Sequence, residues 1–316
     1  VQQTKQLGSA HALQQAEGDI DGPILVLNGD RVIDERIVDD VLEGFDGEPA
    51  LAVLEHPTPT EYGVVEVSDD RLIEFVEKPE TGEHRLINAG VYAFEPSVFD
   101  AIARTDRRAG ELRMSDVIGT LMDDGEVEAV QTDGLWVDAT YPWDLLFLMR
   151  ELLGRGRISQ SERESGVWVA ESARVHPSAT LQPPVVVGPD SEIAAGAVLG
   201  PNVAVGRNAT IGANATLRDV LLDGDCRVEA GSTLLDCVAG ETAEIGAGTV
   251  VSGGPGDVRV GDTVFEDQRL GAVIADRVTV GGGATFAPGT LVGSNVEIGT
   301  GVYARGTIDD DAEVVR

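Results

Sequence analysis

Val185-Val186-Val187-Gly188-Pro189-Asp190-Ser191-Glu192-Ile193-Ala194-Ala195-Gly196-Ala197-Val198-Leu199 places an aliphatic residue at Val187, Ile193 and Leu199, a step of six. The same step runs outward in both directions, through Val169, Val175 and Leu181 before it and Val205, Ile211 and Leu217 after it. Two positions earlier sits a small or β-branched residue: Ala173, Ala179, Val185, Ser191, Ala197, Val203, Ala209 or Ala215. A second run with the same step follows at Ile274, Val280, Phe286, Val292 and Ile298. This period fits neither an α-helix nor an ordinary strand. It fits three-sided coils in which each flat face turns one aliphatic residue inward onto the coil below, a parallel β-helix of hexapeptide type. Gly follows Val187, Leu199, Val205 and Ile211, and these Gly and the Asn residues are expected at corners, where positive φ is often needed.

Ahead of this the period is different. Pro23-Ile24-Leu25-Val26-Leu27 is a continuous apolar run, expected to be a strand buried on both faces and ending in Asn28-Gly29-Asp30. Asp34 to Phe45 has helical spacing with acids in its first turn. Strands are expected at Ala50 to Leu54, Tyr62 to Val67, Arg71 to Val76 and Asn88 to Phe94, and helices at Pro96 to Arg104 and Met114 to Met122. A last strand, Leu135 to Asp138, leads to a helix after Pro142. Alternation of this kind predicts an α/β domain with a mostly parallel sheet. The Gly-punctuated stretch 154–166 is the expected linker between an α/β domain at 1–153 and the coils at 167–316.

The chain of 316 residues carries 55 acids against 23 basic residues, a net charge of −32. Such a surface repels nucleic acid and anionic membranes, so neither is an expected partner. The acids are spread along the whole chain, the pattern of a surface adapted to high salt, where screening removes self-repulsion. Lysine occurs only at Lys5 and Lys78. Cys226 and Cys237 form neither a metal site nor a scaffold on their own, and two free thiols in a cytoplasmic protein is the expectation.

Several segments of the front half, in order, resemble the nucleotidylyltransferases that join a sugar 1-phosphate to a nucleotide. Gln3 to Ala12 resembles the segment that reads the base, which implies base contacts from Gln3, Gln6, Gly8 and Ser9. Leu27-Asn28-Gly29-Asp30 resembles the strand end bearing the first metal aspartate, and Trp136-Val137-Asp138-Ala139-Thr140 with Pro142-Trp143-Asp144 the segment bearing the second. Tyr62-Gly63, Phe75-Val76-Glu77-Lys78-Pro79 and Ile87-Asn88-Ala89-Gly90 resemble the sugar-phosphate contacts, which implies roles for Gly63, Glu77, Lys78 and Asn88. The resemblance implies a Rossmann-like mixed-sheet nucleotidyltransferase domain followed by a left-handed parallel β-helix. It also implies Mg²⁺ held by Asp30 and Asp138. The chemistry suits these residue types: a phosphate oxygen attacks the α-phosphorus of a nucleoside triphosphate, and charge neutralisation and alignment do most of the work. Magnesium takes hard oxygen ligands from one or two carboxylates plus substrate phosphates. dTTP or UTP and glucose 1-phosphate are the expected substrates.

Family members open with a Gly-rich loop bearing an Arg that wraps the triphosphate. No such loop occurs in the first domain, whose first residues already lie in the base-reading segment, and Val1 is not a Met. The expectation is therefore a chain cut short and inactive alone, with a non-catalytic regulatory or scaffold subunit as the alternative. In one branch of the family the β-helix is an acetyl-CoA-dependent acetyltransferase. Ile245 to Val251 and Gly271 to Asp276 resemble that branch, but the loop between them offers Arg259 and Arg269 and neither His nor Lys. The only histidine of the repeats is His176. Without a general base near the acceptor amine, a structural and assembly role is the expectation for the coils. By resemblance this means a homo-oligomer, with a trimer through the β-helix favoured.

Overall fold

The structure, a computed structural model, describes residues 1–80 and 85–315. The chain forms two compact units, Val1–Asp138 and Ala139–Arg316.

The first unit is built on a six-stranded mixed sheet of β1 (Ile24–Leu27), β3 (Ala50–Glu55), β4 (Gly63–Ser68), β5 (Arg71–Glu77), β6 (Leu86–Phe94) and β7 (Glu128–Gln131), in the order β1-β6-β3-β7-β5-β4. β2 (Arg31–Ile33) and β8 (Trp136–Asp138) form a separate antiparallel ribbon. Alternate residues of β3 explain its unbroken apolar run. Leu51 and Val53 pack beneath α1 (Ser9–Gln14), α3 (Val98–Arg104) and α4 (Met114–Asp124). Ala50, Ala52 and Leu54 pack beneath Ile37 and Val41 of α2 (Glu35–Gly44). A strand covered on both faces has no side to leave polar.

Two expectations need correction here. The sheet is mixed but not mostly parallel. β3 and β7 run parallel, while β1–β6, β3–β6, β4–β5, β4–β6 and β5–β7 are antiparallel. Short connections allow this. Asp69 and Asp70, at φ 50° and 61°, close a two-residue hairpin between Ser68 and Arg71, the left-handed turn that suits twisted strands. β1 is also not buried on both faces: it is half-buried at the edge of the six-stranded sheet, with Leu27 46% exposed.

The second unit begins with α5 (Asp144–Gly154), which packs on the coils of a parallel β-helix. Eight stacked strands line one of its faces, from Arg174–Val175 to Glu313–Val314. Every periodic aliphatic residue from Val187 to Leu217 and from Ile274 to Ile298 is buried in one continuous core. The period fails between these runs because the coils there are one residue short: Val203 pairs with Val220, and Thr216 with Thr233. The missing residue is taken at a corner, where Asp219 and Asp236 turn the chain at φ 53° and 48°.

Gly200, Asn202, Asn208 and Asn214 take positive φ at the corners as expected, but other corner glycines serve a different purpose. At Gly188 and Gly206 the constraint is space, since an added Cβ would stand 2.6 Å from the backbone of the next coil. Positive φ at the corners is supplied largely by Asn and Asp, among them Asp190, Asn202, Asn208, Asn214 and Asp225.

The faces of the coils differ in chemistry. Trp168, Val186, Leu221, Val238 and Val273 point outward beneath Leu146, Met149 and Leu153 of α5. A second face presents Arg174, Glu192, Arg227, Glu244, Glu297 and Glu313. The third presents Thr180, Val198, Thr216, Thr233, Val250, Thr285 and Tyr303, a column without a charge.

Candidate active site

Strand pairing gathers the residues singled out in the first unit. Leu27 lies opposite Val91, which sets Asn28-Gly29-Asp30 beside Asn88-Ala89-Gly90. The Asn28 backbone N–H donates to the Gly90 carbonyl at 2.9 Å. The Trp136 indole N–H donates to the Ala89 carbonyl at 2.8 Å, tying β8 to the same place. In the ribbon, Arg31 stands directly opposite Asp138.

Arg31 lies between the side chains of Asp30 and Asp138. Nη1 of Arg31 bonds Oδ1 of Asp138 and lies 3.5 Å from Oδ2 of Asp30. The Asp30 side chain is half exposed, whereas those of Asp138 and Arg31 are 23% and 16% exposed. The Arg31 guanidinium rests 5.2 Å from the Trp136 ring centre and 5.9 Å from that of Tyr62, a cation–π arrangement. Edge-to-face contacts join Tyr62, Trp136 and His56 at 4.7 to 5.5 Å. Burial holds the His56 pKa below its ordinary value, while the carboxylates of Glu61 and Asp138 pull against that.

Gly63 lies opposite Glu77, and a Cβ on Gly63 would meet the Phe75 ring at 2.9 Å and Oε2 of Glu77 at 3.2 Å. Lys78 is exposed, with φ 45°, and its backbone N–H donates to Tyr62 O at 3.0 Å. Asn88 Nδ2 donates to the Tyr92 hydroxyl at 2.7 Å, and its Oδ1 accepts from Gly90 N at 3.0 Å. Tyr92 is buried, which pushes its pKa up to about 12, and the charges of Glu77, Arg31 and Asp30 act on it too. Asp30, Glu77, Asn88 and Asp138 thus belong to one neighbourhood, with Gly63 and Lys78 at its β4–β5 side.

Gln3, Gln6, Gly8 and Ser9 lie at and before α1, packed on the segment 112–114. Ala10 N donates to Leu112 O at 3.1 Å, and Ser9 Oγ accepts from Met114 N at 3.0 Å. The Gln3 amide reaches Gly8 O at 3.1 Å and His11 Nδ1 at 2.8 Å, so it organises its own loop. Gln6 is exposed. From the same segment, Arg113 is raised in pKa chiefly by its bond to Glu111, with Asp116 and Glu77 adding to it. The sequence reading missed Arg31, His56 and Arg113, and took Trp136 only as part of the Asp138 motif. An Arg next to a candidate metal aspartate is the one signal that could have flagged any of them.

Asp30 and Asp138 offer hard carboxylate oxygens on either side of the Arg31 guanidinium, two donors of the kind Mg²⁺ takes when substrate phosphates complete its shell; no group of three or more His, Cys, Asp or Glu placed to hold a metal ion occurs among the described residues.

In the second unit, Arg269 does not stand out as a free cation of the 252–270 loop. Its Nε is 3.1 Å from Asp236 and its Nη2 3.2 Å from Asp219, both aspartates buried. Arg150 of α5 meets the same two carboxylates at 2.8 and 3.5 Å. The loop itself forms an antiparallel hairpin, 256–268, whose Phe265 packs on Tyr141 and Trp143.

A mixed α/β sheet with two aspartates gathered at its strand ends, followed by a hexapeptide coil, defines a nucleotidyltransferase-type chain with a β-solenoid. The comparisons carry this further. The profile of the family described as Nucleotidyl transferase matches residues 1–153, and that of the GMPPB C-terminal domain matches residues 181–280. A "Bifunctional protein GlmU" of Methanococcus maripaludis is 35% identical over 330 residues, covering 99% of this chain and 78% of the relative. A "Bifunctional sugar-1-phosphate nucleotidylyltransferase/acetyltransferase" of Sulfurisphaera tokodaii is 27% identical, covering 82% of this chain and 69% of the relative. A "Low-salt glycan biosynthesis nucleotidyltransferase Agl11" of Haloferax volcanii is 31% identical over 55% of this chain and 52% of the relative. The chain belongs to the GlmU-like sugar-1-phosphate nucleotidylyltransferase family.

Proposed function

We propose that this chain carries the sugar-phosphate half of a reaction that transfers a nucleoside monophosphate from dTTP or UTP to glucose 1-phosphate, releasing pyrophosphate. The observation that supports this best is the convergence of Asp30 and Asp138 on one guanidinium nitrogen, beside Asn88 and Glu77. Asp30 and Asp138 would hold Mg²⁺, which when bound neutralises phosphate charge during in-line displacement. Lys78 supplies a point charge to the sugar phosphate, Gly63 leaves room for the ring, and Asn88 and Glu77 take its hydroxyls. Gln3, Gln6, Gly8 and Ser9 present amide, hydroxyl and backbone groups to the base.

The test is titration of the chain with glucose 1-phosphate in molar KCl, followed by ³¹P NMR. Saturable binding that weakens in Lys78→Ala and Asn88→Ala supports the reading; no saturable binding refutes it. The 316 residues contain no Gly-x-Gly-Thr-Arg loop. We expect them to release no pyrophosphate by themselves, and measurable release from UTP and glucose 1-phosphate would contradict this.

For the coils we propose assembly, in a homotrimer for which the uncharged column from Thr180 to Tyr303 is the packing face. In a chain of charge −32, a face without acidic residues along its central column is the one whose approach to a copy meets least repulsion. Sedimentation in molar KCl tests it: Thr233→Glu with Val250→Glu should yield monomers. Acetyl transfer is the second reading, favoured by the name of the Sulfurisphaera relative. Against it stands Arg269, engaged by Asp219 and Asp236 instead of facing an incoming phosphate. A CoA titration separates the two. The acidic composition supports a cytoplasm of high salt as its setting. No helix among the described residues is long and apolar enough to cross a membrane.

A further inference from the structure

We propose that Arg31 is a resident cation that occupies the divalent-metal position and competes with the metal for Asp30 and Asp138; this rests on the nucleotidyl-transfer reading above. The ribbon register puts Arg31 opposite Asp138, so the pairing is built by the backbone. Its Nη1 bonds Asp138 and stands 3.5 Å from Asp30, the two carboxylates that would hold the ion. Its guanidinium lies over Trp136 and Tyr62, which hold it in place when it is bonded to the aspartates.

A divalent ion and a guanidinium repel at contact distance in a partly desolvated site, so the two states exclude each other. For the metal to enter, Arg31 must release Asp138. A guanidinium set free there has a ready partner in the sugar phosphate, whose oxygens match its forked donors better than a hydrated ammonium would. Metal and phosphate then bind cooperatively, because each draws away the group that blocks the other. The arrangement also keeps two carboxylates together without metal.

The test measures Mn²⁺ binding to the full 316-residue chain by water-proton relaxation, in molar KCl to screen the acidic surface. Asp138→Asn measured alongside removes the contribution of other sites. Arg31→Gln should bind Mn²⁺ about tenfold more tightly than the unaltered chain, a difference of about 1.4 kcal/mol. Equal affinity in both overturns the competition while leaving the metal reading intact. Absence of any Asp138-dependent binding in both chains overturns the metal reading and this proposal together. A second measurement needs no change at Arg31. Mg²⁺ titration of the unaltered chain should shift the tryptophan emission that Trp136→Phe removes, saturating where Mn²⁺ does. Saturable metal binding with no Trp136 signal overturns the displacement.

Discussion

Arg150 on α5 gives its Nε to Asp219 Oδ1 at 2.8 Å, and Asp219 sits at the corner where the coil is one residue short. Asp219 also meets Arg269 and Asn202, and Asp236, one coil on, meets both arginines. Two buried carboxylates and two arginines therefore form a network that ties helix to coil. Each aspartate keeps one of these arginines if the other is lost; without both, Asp219 retains Asn202 and, at 3.9 Å, Arg218, while Asp236 retains, among the described residues, only the Gly254 backbone N–H. Arg150→Met should cost about 1–2 kcal/mol, and Arg150→Met with Arg269→Met about 3–5 kcal/mol, because only then is the buried Asp236 left without a cation. Thermal unfolding of the single and double variants in molar KCl checks this. Additive costs would mean that the arginines act independently.

The coils were legible because a stack of like faces repeats one local rule, an inward aliphatic at every sixth residue from Val169 to Leu217. The reading lost the thread at Asp219 and Asp236, where a five-residue corner depends on which residue takes positive φ, and that carries no periodic signal. In the first unit the family was legible by resemblance. The antiparallel course of β4, β5 and β6 was not, because apolar runs do not encode strand direction. Arg31 was missed because a basic residue next to a metal aspartate reads as surface until the ladder sets it against Asp138.

Cys226 and Cys237 are both buried and free. Burial pushes the Cys226 thiol up to about 11 and raises that of Cys237 as well. The thiolate is the reactive form, so at pH 8 Cys226 should react with a disulfide reagent about a hundredfold more slowly than an exposed cysteine. Both should become reactive together on unfolding. Fast labelling of either in the native chain would show that the coil opens locally.

Gly8 has φ 101°, and a Cβ placed on it would stand 2.2 Å from Leu112 O. Gly8→Ala therefore meets both a disfavoured backbone conformation and a backbone clash. A cost of about 2 kcal/mol or more is expected, with α1 detaching from Leu112. Ser9→Ala, by contrast, removes only the acceptor for Met114 N, at about 1 kcal/mol. Hydrogen exchange at Ala10 N, which bonds Leu112 O, reads the difference. Slow exchange there in Gly8→Ala would remove the steric account of this glycine.

His56 tests the proximity on which the site depends. Its pKa lies below 6.5, first because it is partly buried, and Asp138 is one of the charges that raise it again. Replacing Asp138 by Asn takes that charge away, so the His56 ring should titrate still lower in Asp138→Asn. The sign for stability follows from proton uptake. An unfolded His gains its proton near pH 6.5 and the folded one does so only at lower pH. Stability from this group is therefore lost as pH falls through 6.5, and the loss ends below the folded pKa. The window should widen downward in Asp138→Asn. An NMR titration of the His56 ring in both chains measures the two values directly. A His56 pKa that is unchanged or raised in Asp138→Asn would place Asp138 too far away to act on the ring, and would loosen the cluster of His56, Trp136, Arg31 and Asp138 itself.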